Sequence, residues 1–375
     1  MLSTPGAYVH FPWCVRKCPY CDFNSHPLRD TDSFTIYTQQ LICDWQHQAE
    51  QLPDTLAFSS VFLGGGTPSL FEPESIHQVI AHLPLTKQAE VTMEANPGTT
   101  EHADFADYYH AGVNRLSLGA QSFDDKQLQK LGRIHASSDT HVAFEKARAG
   151  GFRNINIDLM WGLPEQSVNA ALADLDEAIA LGAEHISWYQ LTIEAKTEFA
   201  RRPPILPVDE SLATIERLGL ARLADAGFTR YEVSAFARND NNCIHNTNYW
   251  SFGDYVGIGA GAHGKLSTQL TDHIEITRTA KPTQPRLYQA EPTKTQYRQV
   301  DQQERILEFM MNALRLVDGV EQSAYTHRTG LAWEAIDGTW QKLVDDGLVR
   351  ADRCATTAKG LRYLDSVLGE FLGVE

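Results

Sequence analysis

Short apolar runs rich in β-branched and aromatic residues recur through the first two-thirds of the chain. Each is followed by a longer stretch in which apolar positions return every three or four residues. The short runs are AYVHF (7–11), SVFLG (60–64), EVTMEAN (90–96), NRLSLGA (114–120), NINIDLM (154–160) and HISWYQL (185–191), with RYEVSAF (230–236) as a candidate seventh. The intervening stretches predict helices over 33–50, 75–83, 140–149, 169–181 and 210–226. Strands that alternate with helices of this length predict βαβ units and a parallel sheet. About six units predict an α/β barrel or partial barrel.

The rhythm stops near residue 264. KPTQPRLYQAEPTKTQYRQ, rich in Thr, Gln, Pro, Lys and Arg, predicts a connector or long surface segment ending near residue 303. A second unit follows, with helices predicted over 304–316, from about 321, and over 336–345. A two-stranded wing is expected at 347–357 and a closing helix at 359–372, an order similar to a winged helix-turn-helix.

Composition narrows the chemistry. Apolar residues at 42% are ample for a packed core, and no apolar run approaches the roughly 20 residues of a membrane helix. MLSTPGAYVHF lacks the basic segment and long apolar core of a secretory signal. Six cysteines in 375 residues are too sparse for a disulfide scaffold, so a cytoplasmic protein with reduced thiols is expected. A net charge of −16 disfavours nucleic acid as the main partner. Residues 301–375 carry thirteen acidic and eight basic side chains, a net of about −5, so a docking or covering role suits this unit better than DNA binding.

Residues with special chemistry sit just past the predicted strands: Gly64–Gly66 after Leu63, Asn96 after Ala95, Gln121 after Ala120, and Asp158 within the fifth strand. In parallel α/β folds ligands bind at the carboxyl ends of the strands, so these residues are expected on one rim. After the first strand comes CVRKCPYCDF, in which Cys14, Cys18 and Cys21 are spaced C-x3-C-x2-C. Structural zinc draws on four ligands, commonly two pairs, and no second pair exists here; His10 or His26 would have to complete such a site. Three thiolates can instead hold three irons of a [4Fe-4S] cube and leave the fourth open.

With Tyr20 just before the last cysteine, the motif resembles the signature of the radical S-adenosylmethionine (radical SAM) superfamily. The resemblance implies a partial (β/α)6 barrel. Cys14, Cys18 and Cys21 would hold the cluster, and S-adenosylmethionine would chelate the open iron through its amino and carboxylate groups. In that superfamily an electron from the cluster cleaves the sulfonium. LGGGTP, with Gly65, Gly66 and Thr67, resembles the loop that contacts the methionyl amino group. Tyr8, Glu94, Gln121, Arg133 and Asp158 lie in YVHFPWC, MEANPG, GAQSF, LGRIH and NIDLMWGLP, which look like nucleotide-binding stretches of the coproporphyrinogen dehydrogenase branch. On that resemblance Glu94, Gln121 and Asp158 would share hydrogen bonds with ribose and amino acid groups, and Arg133 would face the carboxylate.

Within the branch the chain is similar to the haem chaperones. The dehydrogenases carry a fourth cysteine two positions after the third, where this chain has Phe23, and their segment before the cluster is longer. CPYCDFNS, NIDLMWGLP and HNTNYW (245–250) match the chaperone side. Read by residue chemistry alone, His245 and Asn246 cap a turn, with Tyr249 and Trp250 as core; the resemblance implies instead that His245 contacts haem. Haem is then bound cargo, and the implied partners are haem-accepting proteins, such as respiratory enzymes at the membrane, with an electron donor wherever the nucleotide is cleaved. A dimer is left open. The parts would be 1–235, a barrel with the cluster and nucleotide sites; 236–300, a connecting segment with HNxxYW; and 301–375, a winged-helix-like α+β domain. Two other readings stand beside this one: oxidative decarboxylation of coproporphyrinogen III, and a winged-helix regulator that senses redox through its cluster. Cys243 is an alternative soft ligand, and Cys43 and Cys354 are expected as small buried apolar residues.

Overall fold

The computed structural model describes residues 4–29, 32–99 and 103–373. The six expected strands form as β1 (Gly6–Phe11), β2 (Phe58–Gly65), β3 (Leu85–Ala95), β4 (Arg115–Gln121), β5 (Ile155–Trp161) and β6 (His185–Gln190). They pair in parallel in chain order. Every residue of β4 is buried, as a strand covered on both faces requires. Helices Phe34–Ala49, Pro73–His82, Ser137–Ala149, Val168–Leu181 and Asp209–Asp225 occupy the crossovers. Ser33 and Ser167 start two of them by accepting hydrogen bonds from the backbone N–H groups of Ile36 and Ala170. The core between the layers includes Val61, Leu63, Met93, Leu116, Leu118, Ile157 and Ile186, all without solvent exposure.

RYEVSAF does not form one strand. It divides into β7 (Thr229–Glu232) and β8 (Ala235–Ala237), a bulged antiparallel hairpin laid against β6. The expected connector is also corrected: residues 255–299 contain β9 (Tyr255–Ile258), parallel to β1, and the antiparallel strands β10 (His263–Gln269), β11 (Ile274–Ala280) and β12 (Gln296–Gln299). The sheet therefore runs β12-β11-β10-β9-β1-β2-β3-β4-β5-β6-β8-β7. Polar letters hid these strands because some of them point inward. Lys265 is 1% exposed and donates to Asp254 at 3.0 Å and Ser267 at 3.1 Å; Lys281 is 4% exposed and pairs with the buried carboxylate of Asp44. Asp44 also accepts from the Tyr288 hydroxyl at 2.9 Å and the Gly259 N–H at 3.1 Å, which ties the first crossover helix to the strand extension.

The C-terminal unit contains helices Gln302–Ala313, Gln322–Thr329 and Asp337–Asp345, close to the expected positions. The wing is reduced to single bridges, Val349 to Thr356 and Val320 to Cys354, and the closing helix is broken into Ala358–Arg362 and Leu364–Gly369. A second core of Ile306, Phe309, Met310, Tyr325, Trp340, Leu343, Val367 and Phe371 includes Ile274 and Ile276 of β11, so the unit shares its interior with the strand extension. It also docks on the other edge of the sheet, where Val233 and Val317 donate backbone hydrogen bonds to Arg315 at 3.1 Å and to Tyr231 at 3.0 Å. Among the described residues no helix is long and apolar enough to cross a membrane.

Candidate functional site

The loop after β1 is braced from below. Trp13 and Cys14 pair with His26 and Pro27, and the Cys21 N–H donates to the Cys18 carbonyl at 3.1 Å. All three thiols are free, partly exposed, and line one cavity of about 690 Å³. Each has a polar neighbour: Thr67 donates to the Cys14 sulfur at 3.5 Å, Arg133 donates to the Cys18 sulfur at 3.7 Å, and Ser25 is 3.5 Å from the Cys21 sulfur. His10 and His26 are engaged elsewhere, bonded to the Asn24 carbonyl at 3.0 Å and the Asn24 side chain at 3.1 Å. Among the described residues no three His, Cys, Asp or Glu side chains converge as a single-ion site. Three thiols on one cavity are the donor set of a multi-iron cluster held by three sulfurs.

The remaining cavity wall is built at the carboxyl ends of the strands. Gly65, at φ +110°, turns the chain at the end of β2, and a Cβ there would strike the His10 ring. Gly66 lies so close to the cysteine loop that a Cβ would meet the carbonyl oxygens of Trp13 at 2.5 Å and Phe11 at 2.7 Å. Glu94 accepts from the Gly65 N–H at 3.0 Å. Asn96 donates to Thr67 at 2.9 Å and accepts from Arg133 at 2.5 Å, and Arg133 also donates to the Gly119 carbonyl at 2.8 Å. Gln121 adopts a left-handed conformation, φ 68°, where the pairing of β4 with β5 shifts register; its amide oxygen accepts from Tyr189 at 2.7 Å. A bulge at a strand end re-aims the side chain that follows. Asp158 accepts from Ser117 and Asn156, each at 2.8 Å.

These carboxylates are held in a poorly solvated place. Burial pushes Glu94 up to about 7, against the opposing Gly65 hydrogen bond and with help from the nearby Asp158 charge. Burial also raises Asp158, countered by its bonds from Ser117 and Asn156. Both groups are thus poised to gain hydrogen-bond donors or positive charge from a ligand.

Cys14, Cys18, Cys21, Gly65, Gly66, Thr67, Glu94, Gln121, Arg133 and Asp158 all line this cavity. Two expected residues stand apart from it. Tyr8 lies on β1 with its hydroxyl 3.0 Å from His10 Nδ1 and its ring near Phe62 and His245. His245 belongs to helix Ile244–Trp250, is 1% exposed, and has Nδ1 3.1 Å from the Ser60 hydroxyl. Among the described residues its Nε2 has no hydrogen-bond partner, and burial lowers the imidazole to about 3. The same helix sends Asn246 and Trp250 into the cavity instead. Cys243 is also buried, its thiol pushed up to about 12 by burial and hydrogen-bonded to Glu90 at 3.5 Å. Cys354 is buried as expected, but Cys43 is exposed, a correction that follows from its place on the outer face of helix Phe34–Ala49.

Residues 8–178 match the Radical SAM superfamily, and residues 300–363 match the HemN C-terminal domain. The "Heme chaperone HemW" of Escherichia coli is 43% identical over 99% of this chain and 100% of its own length. The chain belongs to the HemW family. The HemW of Bacillus subtilis, 32% identical, covers 98% of this chain along 99% of its own. In fold, this HemW-family chain is similar to the coproporphyrinogen III oxidase HemN of Escherichia coli, at a TM-score of 0.79 and 20% identity over 100% of this chain and 92% of that one. The superfamily binds a [4Fe-4S] cluster and S-adenosylmethionine, and the donors gathered here fit both. Several cavity residues escaped the sequence reading: Ser117, Ser187, Tyr189, Glu232, Ser234 and Arg315. The first three alternate along β4 and β6 and could have been found from strand periodicity. Arg315 carried no sequence signal, because only the docking of the C-terminal unit brings it to the barrel.

Proposed function

We propose that this protein is a haem chaperone that binds haem and delivers it to haem-requiring proteins, such as respiratory enzymes, while holding a [4Fe-4S] cluster and S-adenosylmethionine. The carrying observation is one continuous cavity that joins three free thiols to the Gly65–Thr67 loop, Glu94, Arg133 and Asp158, and extends to the helix of HNTNYW. Cys14, Cys18 and Cys21 would hold three irons. When bound, the cluster and nucleotide supply one-electron reductive chemistry at the open iron.

The protein's own contribution is placement. The missing Cβ atoms of Gly65 and Gly66 let this loop pack against His10 and the cysteine loop, which sets its backbone on the cavity wall. Glu94, Gln121 and Asp158 offer acceptors to ribose hydroxyls and the methionyl ammonium, and Arg133 offers donors to the carboxylate. Tyr8, which lies outside the wall, would act only indirectly, through the His10 ring that packs against Gly65. Haem would approach helix Ile244–Trp250. His245, sealed as it is, reaches iron only if that helix shifts; Asn246 and Trp250 are presented without movement. Residues 1–235 would serve the cluster and nucleotide, 236–300 the haem contact, and 301–375 the cover. Such a protein would work in the cytoplasm and meet membrane enzymes through its acceptors.

Anaerobic titration of haem into the cluster-reconstituted protein, with coproporphyrinogen decarboxylation assayed on the same sample, tests this reading. Stoichiometric binding without decarboxylation supports it; turnover would move the chain to the dehydrogenase side despite Phe23. Haem binding by His245→Ala identical to that of the unmodified protein would remove His245 from the site.

A further inference from the structure

The cavity is also lined by Glu232, Ser234, Asn246, Trp250 and Arg315, which belong neither to the three thiols nor to the residues assigned above to the nucleotide. Arg315, from the C-terminal unit, stacks over Trp250 with its guanidinium carbon 4.4 Å from the ring centre. One edge of that guanidinium pairs with Glu232 at 3.1 Å, and Glu232 is itself held by the Ser234 N–H at 3.0 Å and hydroxyl at 3.1 Å. The Arg315 side chain is 30% exposed and faces the cavity, whereas its carboxylate partner is only 4% exposed. Glu232 lines the same cavity, so the wall here carries an ion pair whose arginine is the more accessible member. Among the described residues the buried Arg315 Nε and Trp250 Nε1 have no hydrogen-bond partner. A guanidinium fork beside an aromatic face and the Asn246 side chain fits a flat, largely apolar ligand that ends in a carboxylate.

We infer that Arg315, stacked on Trp250, anchors a propionate carboxylate of the haem cargo at the seam between barrel and C-terminal unit. This deepens the chaperone reading and rests on it. The anchor orients the macrocycle with its acidic edge toward the C-terminal unit and its body toward helix Ile244–Trp250. Because Arg315 also lies where the C-terminal unit pairs with β7, a small separation of the two would withdraw the anchor and loosen the cargo.

The test measures haem and haem dimethyl ester binding by the reconstituted full-length protein and its Arg315→Gln and Glu232→Gln variants, with S-adenosylmethionine affinity and thermal melting recorded for each. The unmodified protein is expected to prefer haem over the ester by roughly 10- to 100-fold, the range of one charge-assisted hydrogen-bonded contact. Arg315→Gln should bind the two equally, at the level of the ester, with S-adenosylmethionine affinity unchanged. Glu232→Gln, which frees the guanidinium from its partner, should tighten haem but not the ester, and this variant decides the matter if Arg315→Gln does not fold. Equal binding of haem and ester by the unmodified protein, or an undiminished preference in Arg315→Gln, overturns the inference and leaves the chaperone reading standing. Loss of S-adenosylmethionine affinity in Arg315→Gln would assign the arginine to the nucleotide carboxylate and also overturn it. Failure of the unmodified protein to bind haem at all overturns both.

Discussion

Glu94 makes the site's chemistry measurable at the scale of one side chain. An acid raised to about 7 keeps its proton where the unfolded chain has lost it. The ligand-free protein should therefore lose stability as pH rises from the ordinary carboxylate range to above 7, and Glu94→Gln should flatten that slope in melting curves. Nucleotide donors favour the ionised form, so S-adenosylmethionine affinity should climb with pH through about 7 and then level off. Glu94→Gln should bind roughly 10- to 100-fold more weakly with no such rise, since a hydrogen bond to a charged acceptor contributes about 1.5–3 kcal/mol. A pH-independent affinity in the unmodified protein would remove Glu94 from nucleotide contact. Cys18→Ala, which takes one of three sulfurs, should lose the cluster's visible absorption and iron content while keeping the melting profile of the cluster-free protein.

Elements decide where these residues can stand. Gly66 lets the β2 loop lie against the cysteine loop, and Gly66→Ala, with a methyl 2.5 Å from the Trp13 carbonyl oxygen, must push the two apart. Reduced cluster occupancy with intact secondary structure is the expected outcome, read from iron content and far-UV circular dichroism. The six parallel strands were legible in the sequence because burial on both faces writes them as near-continuous apolar runs. Strands β9 to β12 were not legible. Lys265 within β10 and Lys281 just past β11 point inward, charges that only tertiary partners make tolerable, and β12 is exposed throughout. Lys281→Met strands the buried Asp44 carboxylate, and about 3–5 kcal/mol of lost stability is expected in denaturant titration. A loss under about 1 kcal/mol would mean that the pair is not the tie between the first crossover helix and the strand extension.

The sheet forms a partial barrel, and a unit from the other end of the chain contributes Arg315 to its cavity. The C-terminal helices resemble a DNA-binding arrangement in order, but they carry an acidic balance and dock against β7 and β11. The cluster motif and the rim residues were readable because each lies within a short local pattern. The exposure of Asn246 and Trp250 instead of His245 was not, because the facing of a seven-residue helix is set by what packs on it. Glu90 accepts from the Ile244 N–H at 2.9 Å and the His245 N–H at 3.3 Å, which fixes that facing from a strand about 150 residues away. The central claim, that the protein carries haem and gives it up, is tested most directly by mixing haem-loaded, reconstituted protein with the haem-free form of a respiratory haem protein and following the acceptor's absorption spectrum. Transfer that regenerates the native acceptor spectrum, faster than haem transfer from serum albumin at equal concentration, is the predicted result. Haem that stays with the donor, or that transfers no faster than from albumin, would contradict the account.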